Sequence, residues 1–312
     1  MAKATPDLVC LGEPMVEFNQ TEPGGTRWLQ GFGGDTSNAA IAAARQGASV
    51  GYVTALGRDA FGDLFVELWT REGVDHAGVA RRDDGHTAAY FATHAATGHS
   101  FSFLRRGSAA SLMAAADLPA AFLAGARMLH LSGISQAISA TARDAGFAAI
   151  DIVRRAGGRI AYDTNLRLKL WSIDAARETI HAAIARCDIA LPSFDDATAL
   201  TGLADADAIA DFYLTLGPSL VALKLGAAGA LVATPRERRR IAPRRVDAVD
   251  ATGAGDTFAG AFLARTLAGD DPFAAAIYAN AAAALSTTGF GAVAPIPRRA
   301  DVIAALERRD GV

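Results

Sequence analysis

Short apolar runs closed by glycine or polar residues alternate with longer amphipathic runs along most of this chain. Residues 8–12 (LVCLG) and 50–55 (VGYVTA) read as buried strands. In residues 56–74, Phe61, Leu64, Phe65 and Leu68 recur at helical spacing and predict a turn and a helix that packs on the core. From residue 126 onward, RMLHLSG, RIAYDTN, DIALPS, SLVALKLG and GALVAT read as strands. Between them TARDAGFAAIDIVRRAGG, DAARETIHAAIARC and FDDATALTG read as helices. That order predicts an α/β fold: a mostly parallel central sheet with helices on both faces.

Two stretches break the rhythm. Residues 13–30 are polar and glycine-containing, with Val16, Phe18, Trp28 and Leu29 scattered through them. Residues 87–93 and 100–105 alternate like a hairpin around the turn-rich HAATGH. Together they predict a small second sheet, built by excursions at about 13–33 and 88–108 from one domain spanning 1–312. There is no sequence repeat, low-complexity tract or linker.

Composition narrows the function. With 312 residues, 51% of them hydrophobic, the chain can build a large core, and length alone allows one or two domains. A formal charge of −3 gives no general attraction to nucleic acid or an anionic membrane. Cys10 and Cys187 each lie in an apolar run, which predicts buried free thiols in a reducing compartment. The N-terminus lacks the apolar core of a secretory signal, and no run is long enough to span a bilayer; the expected location is the cytoplasm. The arginines between 236 and 245 predict an exposed hairpin tip with a solvated face, since no aromatic residues are interleaved for stacking. His130, inside an apolar strand, reads as a satisfied core histidine. No His/Cys/Asp cluster has transition-metal spacing.

The candidate chemistry centres on residues 249–263, VDATGAGDTFAGAFL. Small residues at 253–255 let a backbone approach a ligand closely, and a helix starting there points unpaired N–H groups at an anion. A carboxylate beside an anion site is repelled by the anion; taking a proton from an attacking alcohol explains Asp256 there. The plain alternative is a loop-to-helix junction capped by Asp250 or Thr252. A second glycine turn, GFGGDTSN, precedes AAIAAARQG, a helix with Asp35 or Thr36 as N-cap and Gly47 as stop. Gly33 and Gly34 form either a tight turn or a close approach to a small polar ligand held by Asn38. Further polar residues follow the strands: Ser132 and Ser135, then Asp163, Asn165 and Arg167, then Ser193 and Asp196, then Lys224. Ligands collect at such strand ends in open parallel sheets.

The full string D-x-T-G-A-G-D followed by T-F-x-G-A-F resembles the signature of the ribokinase-like (PfkB-type) sugar kinases. The resemblance implies a three-layer α/β/α fold with a β-lid over the sugar site, often also used to form a homodimer or higher oligomer. It implies ATP-dependent transfer to a sugar hydroxyl with Mg²⁺, Asp256 as general base, and the N–H groups of Gly253, Ala254 and Gly255 as anion hole. It also places Gly33, Gly34 and Asn38 in the sugar site.

Five further strings, 12–17 GEPMVE, 32–38 FGGDTSN, 105–109 RRGSA, 129–134 LHLSGI and 163–171 DTNLRLKLW, resemble 2-keto-3-deoxygluconate kinases. The match runs from Leu8 to Pro295. By it Gly34, Tyr90, Phe103, Arg105, Ile134 and Arg167 line the sugar pocket, and Asn165, Ser193, Lys224, Gly226, Gly229 and Asn280 lie along the nucleotide. A sugar acid carries a carboxylate, which the planar fork of arginine fits. Arg105 and Arg167 are the expected partners; the plain reading of Arg105-Arg106 is a solvated strand end. Two positions depart from the pattern. Phe103 is often tyrosine, and the family's N-x-x-E motif, tied to the Mg²⁺–phosphate network, appears as Ser193-Phe194-Asp195-Asp196, which gives Asp196 an indirect part in metal binding. Fructokinases share the scaffold and stay an alternative, as does a non-catalytic sugar-binding regulator. Whether a monovalent cation is needed near Asp250 stays open.

Overall fold

The computed structural model describes residues 5–95 and 98–308. The N-terminal residues 1–4 and part of the HAATGH turn lie outside the described residues. Among the described residues, thirteen strands fall into two sheets: β1 (Leu8–Leu11), β2 (Met15–Gln20), β3 (Trp28–Gly33), β4 (Val50–Gly57), β5 (Asp75–Arg82), β6 (Ala89–Ala95), β7 (Gly98–Leu104), β8 (Met128–Ser132), β9 (Arg159–Asp163), β10 (Ile189–Ala190), β11 (Leu220–Lys224), β12 (Ala230–Ala233) and β13 (Arg238–Ile241). The large sheet runs β13-β12-β11-β10-β9-β8-β1-β4-β5. Its pairings are parallel from β11 to β5; β12 runs antiparallel to both of its neighbours, so β13 points the same way as β11. This is the expected α/β fold, with a mostly parallel central sheet and a smaller accessory sheet.

The helices are α1 (Asp35–Arg45), α2 (Ala60–Glu72), α3 (Ala120–Ala124), α4 (Gly133–Ala137), α5 (Ala140–Arg155), α6 (Ile173–Ile184), α7 (Phe194–Thr201), α8 (Ala206–Leu216), α9 (Ala254–Ala268), α10 (Pro272–Ser286) and α11 (Arg299–Glu307). Successive residues of a strand face opposite sides, and β1 shows it: Leu8 and Cys10 join one core cluster, Val9 and Leu11 the other. The first cluster is packed by α1, α2, α9 and α10, and its alanines let α1, α9 and α10 lie close together. The second is packed by α5, α6, α7 and α8. Both cysteines are free and buried, one on each side.

The accessory sheet has the order β3-β2-β6-β7, with β2 and β6 parallel and the outer pairs antiparallel. Both polar excursions therefore meet in one sheet, as their alternation predicts. It carries exposed apolar side chains at Trp28, Leu29 and Leu104.

Several local expectations change. Neither Asp35 nor Thr36 caps α1. Gly34 takes the N-cap position at φ 103°, and a Cβ there would lie 2.5 Å from the Glu13 carbonyl oxygen, so only glycine fits. Thr36 turns inward to share a hydrogen bond with the Tyr52 hydroxyl, 2.8 Å. The arginine cluster reaches beyond an exposed hairpin tip: Arg236 lies in the turn at 234–237, and Arg238–Ile241 is the edge strand β13. Arg238 and Arg240 pair with Asp207 on α8, Arg238 also with Asp211, and Arg239 stacks over Phe273. This acidic helix face offsets the cluster's charge. His130 is buried and burial pushes its pKa down, but its Nδ1 has no hydrogen-bond partner among the described residues; it is not fully satisfied.

Candidate functional site

The parallel strands of the large sheet end on one side, and their trailing loops bring together the polar residues that follow them. The accessory sheet roofs the same place. Between them lies a cavity of about 1640 Å³. It is lined by Gly33, Gly34, Asp35 and Asn38 from the start of α1, Tyr90, Phe103 and Arg105 from the accessory sheet, Ile134 from α4, and Asp163, Asn165 and Arg167 after β9. Ser193, Asp196, Lys224, Gly226, Gly253, Gly255 and Asp256 also line it.

The start of α9 is the anion-binding candidate. Gly253 is its N-cap, left-handed at φ 75°, and no side chain caps the helix. Neither Asp250 nor Thr252 is therefore its cap. Asp250 instead accepts hydrogen bonds from Thr252 N (2.9 Å), Thr252 Oγ1 (2.6 Å) and Gly291 N (2.9 Å), which pins the turn to the neighbouring loop. One part of the expected anion hole changes. The N–H of Ala254 donates to the Ala251 carbonyl at 3.2 Å, so that amide is engaged. Those of Gly253 and Gly255 have no acceptor among the described residues, and Gly255 borders the cavity beside the Lys224 ammonium. An ammonium and a helix N-terminus together favour an anion.

Asp256 sits one turn into α9 and reaches the same cavity. Its Oδ2 accepts a hydrogen bond from Asn38 Nδ2 at 2.8 Å, which ties α9 to α1 and orients the carboxylate. Burial, then the Asp35 carboxylate, pushes its pKa up to about 7. A carboxylate held there is both ionised in part near neutral pH and basic enough to take a proton. Asp35 accepts from Asn165 Nδ2 at 2.7 Å. Asn165 is the one non-glycine residue at positive φ among the described residues, φ 24°, where backbone strain gathers at functional sites. Lys224 Nζ pairs with Asp163 Oδ2 at 2.5 Å. Asp196 accepts from Leu166 N at 3.1 Å, and burial pushes its pKa up. Ser193 caps α7.

The lid end of the cavity is built differently. The Tyr90 hydroxyl donates a hydrogen bond to Oε1 of the buried Glu17, 2.8 Å, so it offers a ring face rather than a free donor. Phe103 is 46% exposed and carries the Arg105 guanidinium over its ring at 5.3 Å. Arg105 is no solvated strand end: its side chain is 14% exposed and its Nε donates to Glu13 Oε2 at 2.5 Å. Arg167 is exposed, with Nη1 folded onto the Leu166 carbonyl at 2.7 Å. Arg106 and Lys169 also line the cavity.

Most of the residues singled out in the sequence therefore meet in one cavity. Ala254, Gly229 and Asn280 do not line it. Gly229 packs against the Ile241 carbonyl, and Asn280 Nδ2 donates to the Ala242 carbonyl at 3.1 Å. Sequence reasoning missed Glu13 and Asp35 as site residues. Glu13 stands in GEPMVE and Asp35 in FGGDTSN, and Gly34 at the N-cap makes a capping role for Asp35 unnecessary.

Comparisons with known proteins bear on the family and the fold. Residues 5–299 match the model of the pfkB family carbohydrate kinases. The 2-dehydro-3-deoxygluconokinase of Bacillus subtilis is 33% identical over 301 residues, covering 94% of this chain and 93% of its own. Fructokinase-1 of Zea mays is 32% identical over 324 residues, covering 99% of this chain and all of its own. The crystal structure of a fructokinase with bound ATP from Xylella fastidiosa superposes with a TM-score of 0.86 at 26% identity, covering 96% of this chain and 98% of that one. No helix among the described residues is long and apolar enough to cross a membrane. On the family match, the relatives and the shared fold together, this chain belongs to the pfkB family of carbohydrate kinases.

Proposed function

We propose that this kinase transfers the γ-phosphoryl group of ATP to the terminal hydroxyl of 2-keto-3-deoxygluconate. The observation that carries the reading is the placement of Arg105 and Arg167 in the same cavity as Asp256. One end of the cavity is then suited to a carboxylate and the other to a reacting alcohol. Asp256 accepts the hydroxyl proton as the oxygen attacks the γ-phosphorus in line and the bond to ADP breaks. The free N–H groups of Gly253 and Gly255 and the Lys224 ammonium stabilise the charge on the transferring group. Asn38 holds the base in place, and the lid keeps out water that would compete as acceptor.

Magnesium fits the residues present. No group of three or more His, Cys, Asp or Glu forms a metal cage among the described residues, but Asp163 and Asp196 both line the cavity. Such a site suits a hard cation that keeps several waters and is held largely by phosphates, with Asp196 reached indirectly. Bound with the nucleotide, Mg²⁺ neutralises phosphate charge. Asn165, Ser193 and Gly226 are the other nucleotide contacts in this reading; Gly229 and Asn280 act only by shaping the loops around it. The exposed Trp28, Leu29 and Leu104 fit a homodimer formed through the lid.

A coupled assay across 2-keto-3-deoxygluconate, fructose and ribose tests the substrate. The sugar acid is expected to give the highest kcat/KM; a preference for fructose instead establishes the neutral-sugar alternative. That alternative draws on one observation: Glu13 already balances part of the Arg105 charge. ATP binding without sugar-stimulated ADP release would mark a regulator. Assays with and without added potassium decide the monovalent cation. The acid limb of kcat/KM is expected near pH 7, where Asp256 loses its proton. Asp35 raises that value, so Asp35→Asn should move the limb to lower pH. A limb that stays put would separate Asp35 from the base.

A further inference from the structure

Glu13 is a carboxylate placed where carboxylates rarely lie. Its side chain is fully buried, at the junction between β1 and β2, and burial pushes its pKa up. An isolated buried charge is costly, so this one needs partners. It has two. Oε2 accepts from Arg105 Nε at 2.5 Å, and Oε1 accepts from Ser108 Oγ at 2.7 Å. Both partners stand at the two ends of the tight turn that follows β7, closed by Ser108 N donating to the Arg105 carbonyl at 2.9 Å. Glu13 thus fastens the end of the lid strand to the body of the protein.

The bond to Nε has a directional consequence. A guanidinium has five N–H groups in a fixed plane, so holding Nε fixes where the other four point. Nη2 lies against the Met15 sulfur at 3.1 Å and the plane rests near the Phe103 ring. Nη1 has no hydrogen-bond partner among the described residues, and Arg105 lines the cavity. We infer that Glu13 is a positioning residue for substrate selection: by gripping Arg105 at Nε it presents the Nη1 edge to the carboxylate of a sugar acid. This rests on the sugar-acid reading above.

Charge alone makes the opposite prediction. Removing a negative group beside Arg105 leaves the cavity more positive and should tighten the binding of an anion. If Glu13 acts by positioning, its removal weakens that binding instead. Glu13→Ala is expected to raise KM for 2-keto-3-deoxygluconate about tenfold relative to fructose, with a smaller change in kcat. Glu13→Gln keeps an acceptor for Nε and should recover most of the loss. A field effect would lower KM equally in both variants, and a general structural defect would reduce turnover with both sugars; either result overturns the assignment. Arg105→Ala, measured alongside, separates the two ideas. Loss of acid selectivity in Arg105→Ala but not in Glu13→Ala overturns the positioning role alone. No loss in Arg105→Ala overturns the sugar-acid reading and this role with it. Should Glu13→Ala not fold, Ser108→Ala frees the other carboxylate oxygen and carries the same test: a rise in KM for the acid of about threefold supports the role, and an unchanged KM overturns it.

Discussion

Asp256→Asn is expected to lower turnover about 10³-fold with the protein still folded, and to raise its melting temperature. Asparagine fills the same space and can still accept the hydrogen bond from Asn38, so the contact between α1 and α9 survives. What it cannot do is take a proton. The stability gain follows from the raised pKa. Asp256 is pushed up to about 7 in the folded protein, against about 4 in an unfolded chain. The folded state therefore holds the proton more tightly, and this group's contribution to stability falls as pH rises from about 4 to about 7, then levels off. The variant lacks that loss. Its melting temperature should exceed the parent's by a few degrees at pH 8, and the difference should shrink toward pH 4. Thermal melts over that range and a coupled ADP assay check both halves. Near-normal turnover in a folded variant would remove Asp256 as the base.

A raised carboxylate pKa of this kind depends on burial and on neighbours far apart in the chain, and that bears on what could be read from the sequence. The strand–helix alternation was legible because buried parallel strands are plain apolar runs. β5 was not, because an edge strand is half-exposed and its charges break the alternation. α8 was passed over although Asp205 caps it. The glycine turn at 253–255 was legible because backbone approach leaves a compositional trace. Its partial engagement was not: whether the Ala254 N–H is free depends on the Ala251 carbonyl folding back, which no side chain announces. Likewise Arg105 and Glu13 lie 92 positions apart, and only the meeting of β1 with the lid shows that they are a pair.

Arg105→Ala is expected to lower kcat/KM for 2-keto-3-deoxygluconate about 10²-fold more than for fructose, because a charge-assisted contact is lost for one substrate only. The variant has a second effect that must be kept apart from the first. It leaves Glu13 buried with only the Ser108 hydroxyl as partner, and breaking a buried pair from one side is strongly destabilising. Glu13 then takes up a proton more readily, since the guanidinium that lowered its pKa is gone. A carboxyl whose folded pKa is raised loses stability as pH rises, so Arg105→Ala should be least stable at alkaline pH. Adding Glu13→Gln removes that buried charge. The double variant should regain thermal stability and lose its pH dependence, yet keep the selectivity defect, since no guanidinium is restored. If the double variant also recovers acid selectivity, the defect of Arg105→Ala was a disturbed lid and not a missing carboxylate partner. Equal losses on both sugars in the single variant would mean that this arginine does not distinguish a sugar acid from a neutral sugar.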